Sequence, residues 1–247
     1  MDYFKYAFSP YQLFSSLISG VPILFCLFLL FTPAAELQAY NLGKVKDLFS
    51  ISTLLLFIAS TIVGGSISGL TFGYFKILCK IFRKDYKFLE KKLLQNFDTI
   101  DVLVGKEEFL NMNYDDRLSY IVKQHIGPTP YPAANFRLLP YIRQFGGPLM
   151  NQIESYVAFH IMYRNLSFGF LLVAFISIGL LFYWKSAGYI YISIAIIALP
   201  LSMLSFLRSV VLRQWWVREG LNGFFSLKIK DYLGDLPRFR NDPNLKQ

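Results

Sequence analysis

Four long apolar segments dominate the pattern of hydrophobic and polar positions. They cover residues 13–31, 49–75, 166–184 and 187–207, and none of them contains an acidic or basic residue. A helix needs about 20 consecutive apolar residues to cross the roughly 30 Å hydrocarbon core of a bilayer. The pattern therefore predicts four transmembrane helices arranged as two pairs.

The polar segments show mainly helical patterns as well. The stretch FKILCKIFRKDYKFLEKKLLQNF extends the second apolar segment without proline or glycine, and its basic residues gather on one side at 100° per residue. A helical pattern also runs unbroken from residue 149 to residue 184. We therefore expect an all-α fold with a first helix pair in residues 1–75, a mainly helical cytoplasmic domain in residues 76–165, a second pair in residues 166–207, and an amphipathic cytoplasmic tail in residues 208–247.

Composition agrees with a membrane protein, because 54% of the 247 residues are hydrophobic and only 17% are charged. The first apolar segment is longer than the core of a signal peptide, so we expect it to remain as a helix. Cys26, Cys79, His125 and His160 are not spaced for zinc. Phosphate-loop, hydrolase-elbow and metalloprotease motifs are absent from the sequence. We therefore expect no metal, no cofactor and no catalytic residues.

Basic residues predict the orientation. Residues 76–165 carry 13 lysines and arginines and the segment from residue 208 carries 8, whereas residues 32–48 carry only two. Positive charge accumulates on the cytoplasmic side of a membrane helix. We therefore expect a multi-pass inner-membrane protein with both termini in the cytoplasm.

The cations nearest the predicted membrane boundaries are expected to contact anionic lipid headgroups. They are Lys76, Lys80, Arg83, Lys84, Lys87, Arg208 and Arg213. The net charge of +9 is concentrated where the chain leaves the membrane, so we do not expect direct binding to nucleic acid.

Small residues form two files on the second apolar segment. One contains Thr61, Gly65, Gly69 and Gly73, and the other contains Ser60, Gly64 and Ser68. Small residues four positions apart let two helix backbones approach closely in lipid. The files therefore predict helix packing within one chain, a homo-oligomer, or the lining of a pore. The first segment carries a smaller patch of the same kind, made by Ser15, Ser16, Ser19 and Gly20.

The stretch ESYVAFHIMYRNLSFG, directly before the third apolar segment, supplies the polar candidates Glu154, His160, Arg164 and Asn165. One interpretation is a collar at the membrane boundary, in which Arg164 reaches lipid headgroups. The alternative is that His160 and Arg164 bind an anionic ligand or form a pH-sensitive contact.

The layout resembles a loose class of uncharacterised prokaryotic membrane proteins with two helices, a cytoplasmic insert and two more helices. The residues that carry this likeness are ISGVPILFCLFLL, IVGGSISGL, MYRNLSFGFLL and RQWWVREGLNGFF. The resemblance implies a bacterial or archaeal protein of unassigned activity. Some proteins of this layout act beside phage-defence systems at the inner membrane, so it also implies a defence role by analogy.

Three functional hypotheses follow. The first is a non-enzymatic membrane effector or sensor that self-associates through its Gly and Ser faces and responds to a cytoplasmic partner or ligand, permeabilising the membrane. The second is a component of a channel or transporter. The third is a scaffold that recruits a cytoplasmic enzyme to the membrane.

Overall fold

A computed structural model describes residues 10–31, 51–85, 111–113, 116–117, 120–121, 141–145, 147–183 and 188–234. It contains five long helices in those ranges: α1 (Pro10–Phe31), α2 (Ile51–Ser66), α3 (Ser68–Ile81), α4 (Gly147–Tyr183) and α5 (Gly188–Gly234). All regular elements in these ranges are helical, which confirms the all-α class. Most of the predicted cytoplasmic domain, including Lys87, lies outside the described residues.

Three helices, α1, α4 and α5, are long and apolar enough to cross a membrane. The pair α2 and α3 passes the same test only when its two members are taken together, and they meet at an angle of 54°. These lengths and compositions indicate a membrane protein, as the sequence predicted.

The bend between α2 and α3 differs from the uninterrupted helix that the second apolar segment predicted. It falls at Ile67, inside the sequence GGSISG. The amide of Ile67 donates to the carbonyl of Val63 (3.1 Å) and the amide of Thr71 donates to the carbonyl of Ile67 (3.0 Å). The chain therefore stays helically bonded on both sides, and the kink has the Gly and Ser composition that commonly permits one.

Helix α3 ends at Ile81, although the sequence predicted that the helix would continue to residue 97. Arg83 adopts a left-handed conformation with φ of 51°. Its amide donates to the Lys80 carbonyl (3.3 Å), and the Lys84 amide donates to the Cys79 carbonyl (2.9 Å). These two bonds make a Schellman C-cap, which satisfies the last carbonyls of the helix. This C-cap was not predicted from the sequence, because the left-handed position is occupied by Arg83 and glycine is the usual residue there.

The chain divides into two compact units. The unit formed by residues 1–84 and 157–213 has a core in which α1, α4 and α5 meet, made by Cys26, Leu29, Val173, Ala174, Tyr191 and Ala198. In this unit a Cβ on Gly169 of α4 would crowd Pro22 of α1. Only a very small residue allows this approach of the two helices.

The other unit comprises residues 85–156 and 214–247. Its described core includes Ile142, Ile153 and Phe224, which are fully buried. The Tyr141 ring stacks edge-on against Phe224, and a Cβ on Gly223 would overlap Leu149. The part of α5 that belongs to this unit therefore packs closely on the start of α4.

Helices α1 and α2 approach each other through small residues. A Cβ on Gly20 would overlap the backbone of Ser60, and a Cβ on Gly64 would overlap the backbone of Ser16. The Ser60 hydroxyl donates across this contact to the Leu17 carbonyl (2.6 Å). The spacing of four residues on each helix, Ser16 to Gly20 and Ser60 to Gly64, thus brings the two backbones together.

Candidate functional site

Arg164 is buried although it carries a charge. It lies on α4 in the first unit, and only 6% of it is exposed. Its Nε donates to the Thr71 hydroxyl (3.2 Å), and its Nη2 donates to the Ser68 carbonyl (2.9 Å) and the Ser68 hydroxyl (2.7 Å). Three of its five N–H donors are therefore bound to the first turn of α3.

Asn165, the next residue of α4, is only 1% exposed and bonds to the other side of the bend. Its amide nitrogen donates to the Gly64 carbonyl on α2 (3.1 Å). Its amide oxygen accepts a hydrogen bond from the Thr71 hydroxyl on α3. Asn165 therefore links both helices of the bent pair.

We call Arg164 and Asn165 the α4 clamp. Together they bind the carbonyls of Gly64 and Ser68, which lie on opposite sides of Ile67. Across the bend no described backbone amide bonds to the Gly64 carbonyl, whereas the Ser68 carbonyl lies inside α3 and also accepts from the Thr71 hydroxyl; in lipid no water replaces a missing donor. Polar side chains from a neighbouring helix can satisfy these carbonyls, so the clamp stabilises the bent form of the α2–α3 pair.

His160 lies four residues before Arg164 on α4 and contacts α5. Its Nδ1 lies 2.9 Å from the Ser209 carbonyl, while the Ser209 hydroxyl donates to the His160 carbonyl (3.1 Å). A carbonyl oxygen can only accept, so Nδ1 carries the proton in this arrangement. The ring also packs edge-on against Phe75 of α3. From its position on α4, His160 therefore contacts both α3 and α5.

His160, Arg164 and Asn165 form a buried polar cluster together with hydroxyl groups of α3, α4 and α5. Sequence reasoning missed these hydroxyl groups. Tyr74 of α3 bonds to Ser167 of α4 (3.1 Å), and the Ser202 hydroxyl of α5 donates to the Ser167 carbonyl (2.7 Å). Ser202 and Ser209 are seven residues apart and therefore share one face of α5. That spacing, with Ser205 between them, was the available signal in the sequence.

Two cations share the ring of Phe72. The Cζ atom of Arg164 lies 5.4 Å from the ring centroid, and Nζ of Lys76 lies 4.4 Å from it. Both distances lie within the range of cation–π attraction. Two positively charged side chains, one from α3 and one from α4, therefore lie at this ring.

The other predicted site residues occupy several places. Glu154 pairs with Arg143 (3.5 Å) in the second unit, so it does not belong to the buried cluster. Ser60 and Gly64 face α1, whereas Gly65, Gly69 and Gly73 are exposed and Thr61 is partly exposed. Ser68 accepts hydrogen bonds from Arg164 of the clamp. The remaining predicted lipid contacts that the structure describes are exposed or partly exposed: Lys76, Lys80, Arg83, Lys84, Arg208 and Arg213.

Among the described residues, no group of three or more His, Cys, Asp or Glu side chains could hold a metal ion. The cluster instead offers N–H donors, hydroxyl groups and positive charge, which suit binding of an anion.

No protein-family model, curated protein or solved structure matches the chain.

Proposed function

We propose that this chain is a four-span, non-enzymatic protein of the inner membrane in which α2 and α3 together form one bent span. The 2+2 arrangement, with both termini in the cytoplasm, is supported by the excess of basic residues in the segments after the second and fourth spans. It is supported further by the hydropathy of the α2–α3 pair, which suffices for a span only when both helices contribute.

Its function is that of a membrane sensor or effector, and the observation that carries this proposal is the α4 clamp. A helix bent by 54° has a straighter alternative, and the bonds of Arg164 and Asn165 to Ser68 and Gly64 favour the bent form. A ligand or cytoplasmic partner that alters these bonds shifts the balance between the two forms. The bend is therefore the moving element, and a change in it opens a leak through the bilayer.

Self-association is the second part of the proposal. Gly69 and Gly73 have open space where a Cβ would project, so within one chain nothing described covers that face of α3. A second copy can approach this face closely, because small residues expose the helix backbone. The homo-oligomer would place several bent spans side by side, as a permeabilising effector requires.

Ion flux from liposomes tests this function. The full chain, the variant Asn165→Leu and the variant Gly69→Leu are reconstituted in parallel, with oligomer mass measured for each in mild detergent. We expect Asn165→Leu to raise the leak above wild type because it releases the bend. We expect Gly69→Leu to lower both oligomer mass and leak.

Ser193→Leu is the matched control, because Ser193 is exposed on α5 and its hydroxyl bonds only within its own helix, to Tyr189 (2.9 Å). It should leave both readouts unchanged. Circular dichroism checks that each variant keeps its helical content. If no variant changes the flux and wild type leaks no more than empty liposomes, the effector proposal is wrong and the scaffold hypothesis takes its place.

The resemblance noted above extends the proposal to phage defence. Cells that express the chain should survive phage challenge better than cells that express Asn165→Leu or Gly69→Leu. Equal survival of all strains would limit the function to the membrane activity alone.

A further inference from the structure

One nitrogen of the Arg164 guanidinium group, Nη1, takes no part in the hydrogen bonds to α3. The Nε and Nη2 donors are bound to Thr71 and Ser68, whereas Nη1 makes no described hydrogen bond. Among the buried side-chain atoms that the structure describes, only Ser177 Oγ and Tyr191 OH lack a partner. Nη1 is therefore accessible, although Arg164 as a whole is only 6% exposed.

No described ion pair includes Arg164, so no carboxylate balances its charge within that part of the chain. The nearby charge is positive instead. Lys76 and Arg164 contact the same Phe72 ring and therefore lie within roughly 10 Å of each other. Keeping a buried cation without a counter-ion is unfavourable, and a bound anion offsets that cost.

We infer that Nη1 of Arg164 binds a phosphate group, with Lys76 of α3 contributing a second positive charge nearby. Nη1 retains two N–H donors for phosphate oxygens, and hydrogen bonds between a charged guanidinium group and phosphate are stronger than neutral ones. The Nδ1 atom of His160 is not available for this ligand, because it is hydrogen-bonded to Ser209. This inference rests on the proposed function, since it names the ligand class of the clamp.

Phosphate of this kind has two sources. Arg164 lies at the start of an apolar run on α4, where the headgroup phosphates of an anionic lipid are found. A soluble phosphate compound from the cytoplasm offers the same oxygens. Because the contact on Arg164 is identical, an experiment with one arm for each source is needed.

Thermal stability of the full chain in lipid-depleted detergent provides that experiment. One arm titrates inorganic phosphate against chloride at matched ionic strength. The other adds phosphatidylglycerol to the micelles and compares it with a neutral glycolipid that lacks phosphate. A ligand that binds the folded form raises the midpoint of unfolding with its concentration.

Two lysine variants give the assay its specificity. Lys76→Gln should weaken phosphate binding about fivefold, because it removes a positive charge that lies within roughly 10 Å of Arg164. Lys80→Gln is the matched control, since Lys80 is an exposed lysine of the same helix. It should leave the binding unchanged. Neither substitution removes a hydrogen bond of the clamp.

The results distinguish a soluble phosphate ligand, a lipid headgroup and the absence of a phosphate site. Stabilisation by inorganic phosphate that Lys76→Gln weakens supports a soluble ligand, and the same pattern with phosphatidylglycerol alone supports a lipid headgroup. No stabilisation in either arm, or equal weakening by both lysine variants, overturns the inference. Phosphate binding without any effect of clamp variants on ion flux would instead retain this site and reject the proposed effector function.

Discussion

The bent α2–α3 pair carries two files of small residues that look alike in the sequence and differ in the structure. Ser60 and Gly64 lie against α1, where a Cβ on Gly64 would overlap the Ser16 backbone. Gly69 and Gly73 have nothing within 4 Å of the same position among the described residues. Ser60 and Gly64 are thus covered by α1, whereas Gly69 and Gly73 are uncovered in the described part of the chain.

A small residue every four positions therefore indicates where helix backbones can approach, without indicating which face is used. Which face is used depends on the residues of the neighbouring helix. Helix α1 supplies its own small residues, Ser16 and Gly20, and a hydroxyl bond from Ser60 to Leu17 adds direction to the contact. Helix α4 contacts the same bent pair through the polar residues Arg164 and Asn165.

The substitution Gly64→Leu should have the largest effect on this comparison. The added side chain would overlap the backbone of α1, which cannot move aside as a flexible side chain can. We expect a loss of about 3 kcal/mol or more in the free energy of unfolding. Titration with SDS in mixed micelles measures it.

Gly69→Leu is the matched variant for that test, because it adds the same side chain to the uncovered file. We expect the unfolding free energy of its monomer to stay close to wild type. Equal destabilisation by the two variants would show that both files are covered within one chain.

Asn165→Leu should have the second largest effect. It removes the bonds to the Gly64 carbonyl and to Thr71 and leaves a carbonyl beside the bend without its side-chain donor. We expect a loss of about 2 kcal/mol, the upper range for buried hydrogen bonds in membrane proteins. The same micelle titration measures it, and an unchanged value would mean that the bend needs no clamp.

Sequence length and hydropathy were sufficient to predict the long helices. The expected helix of residues 149–184 is close to the observed Gly147–Tyr183, because a long apolar run without breakers is a strong local signal. The bend at Ile67 was not predicted, since no proline marks it. It is accompanied by bonds from residues about a hundred positions away along the chain, such as Asn165 to Gly64, and no local pattern records them.

The candidate site was predictable to a similar degree. His160, Arg164 and Asn165 stand out because polar residues before an apolar segment are costly, and all three lie in the buried cluster. Their partners Thr71, Tyr74 and Ser209 did not stand out, because hydroxyl groups are common in membrane helices and usually bond within their own helix. Glu154 has the same sequence signal as the others but pairs with Arg143.

Ser60→Ala tests how much the hydrogen bond across the α1–α2 contact contributes to stability. The Ser60 hydroxyl bonds across the contact to Leu17, whereas the exposed Ser193 hydroxyl bonds only within α5. We expect Ser60→Ala to cost about 0.6 kcal/mol, a typical value for one interhelical bond in a membrane protein, and Ser193→Ala to cost nothing measurable. If the two variants behave alike, the close approach of α1 and α2 depends on backbone packing alone.

Gly73→Ala should have the smallest effect, and its sign is the informative quantity. A methyl group at this position meets open space in the chain, while alanine loses less backbone entropy on folding than glycine does. We therefore expect a gain of about 0.5 kcal/mol in the unfolding free energy of the monomer. In the oligomer the same methyl group would separate the two backbones, so the association constant should fall as monomer stability rises. Sedimentation equilibrium in density-matched detergent measures association beside the micelle titration. A parallel rise in both quantities would mean that copies of the chain do not meet through this file, and that its glycines serve the bend rather than the assembly.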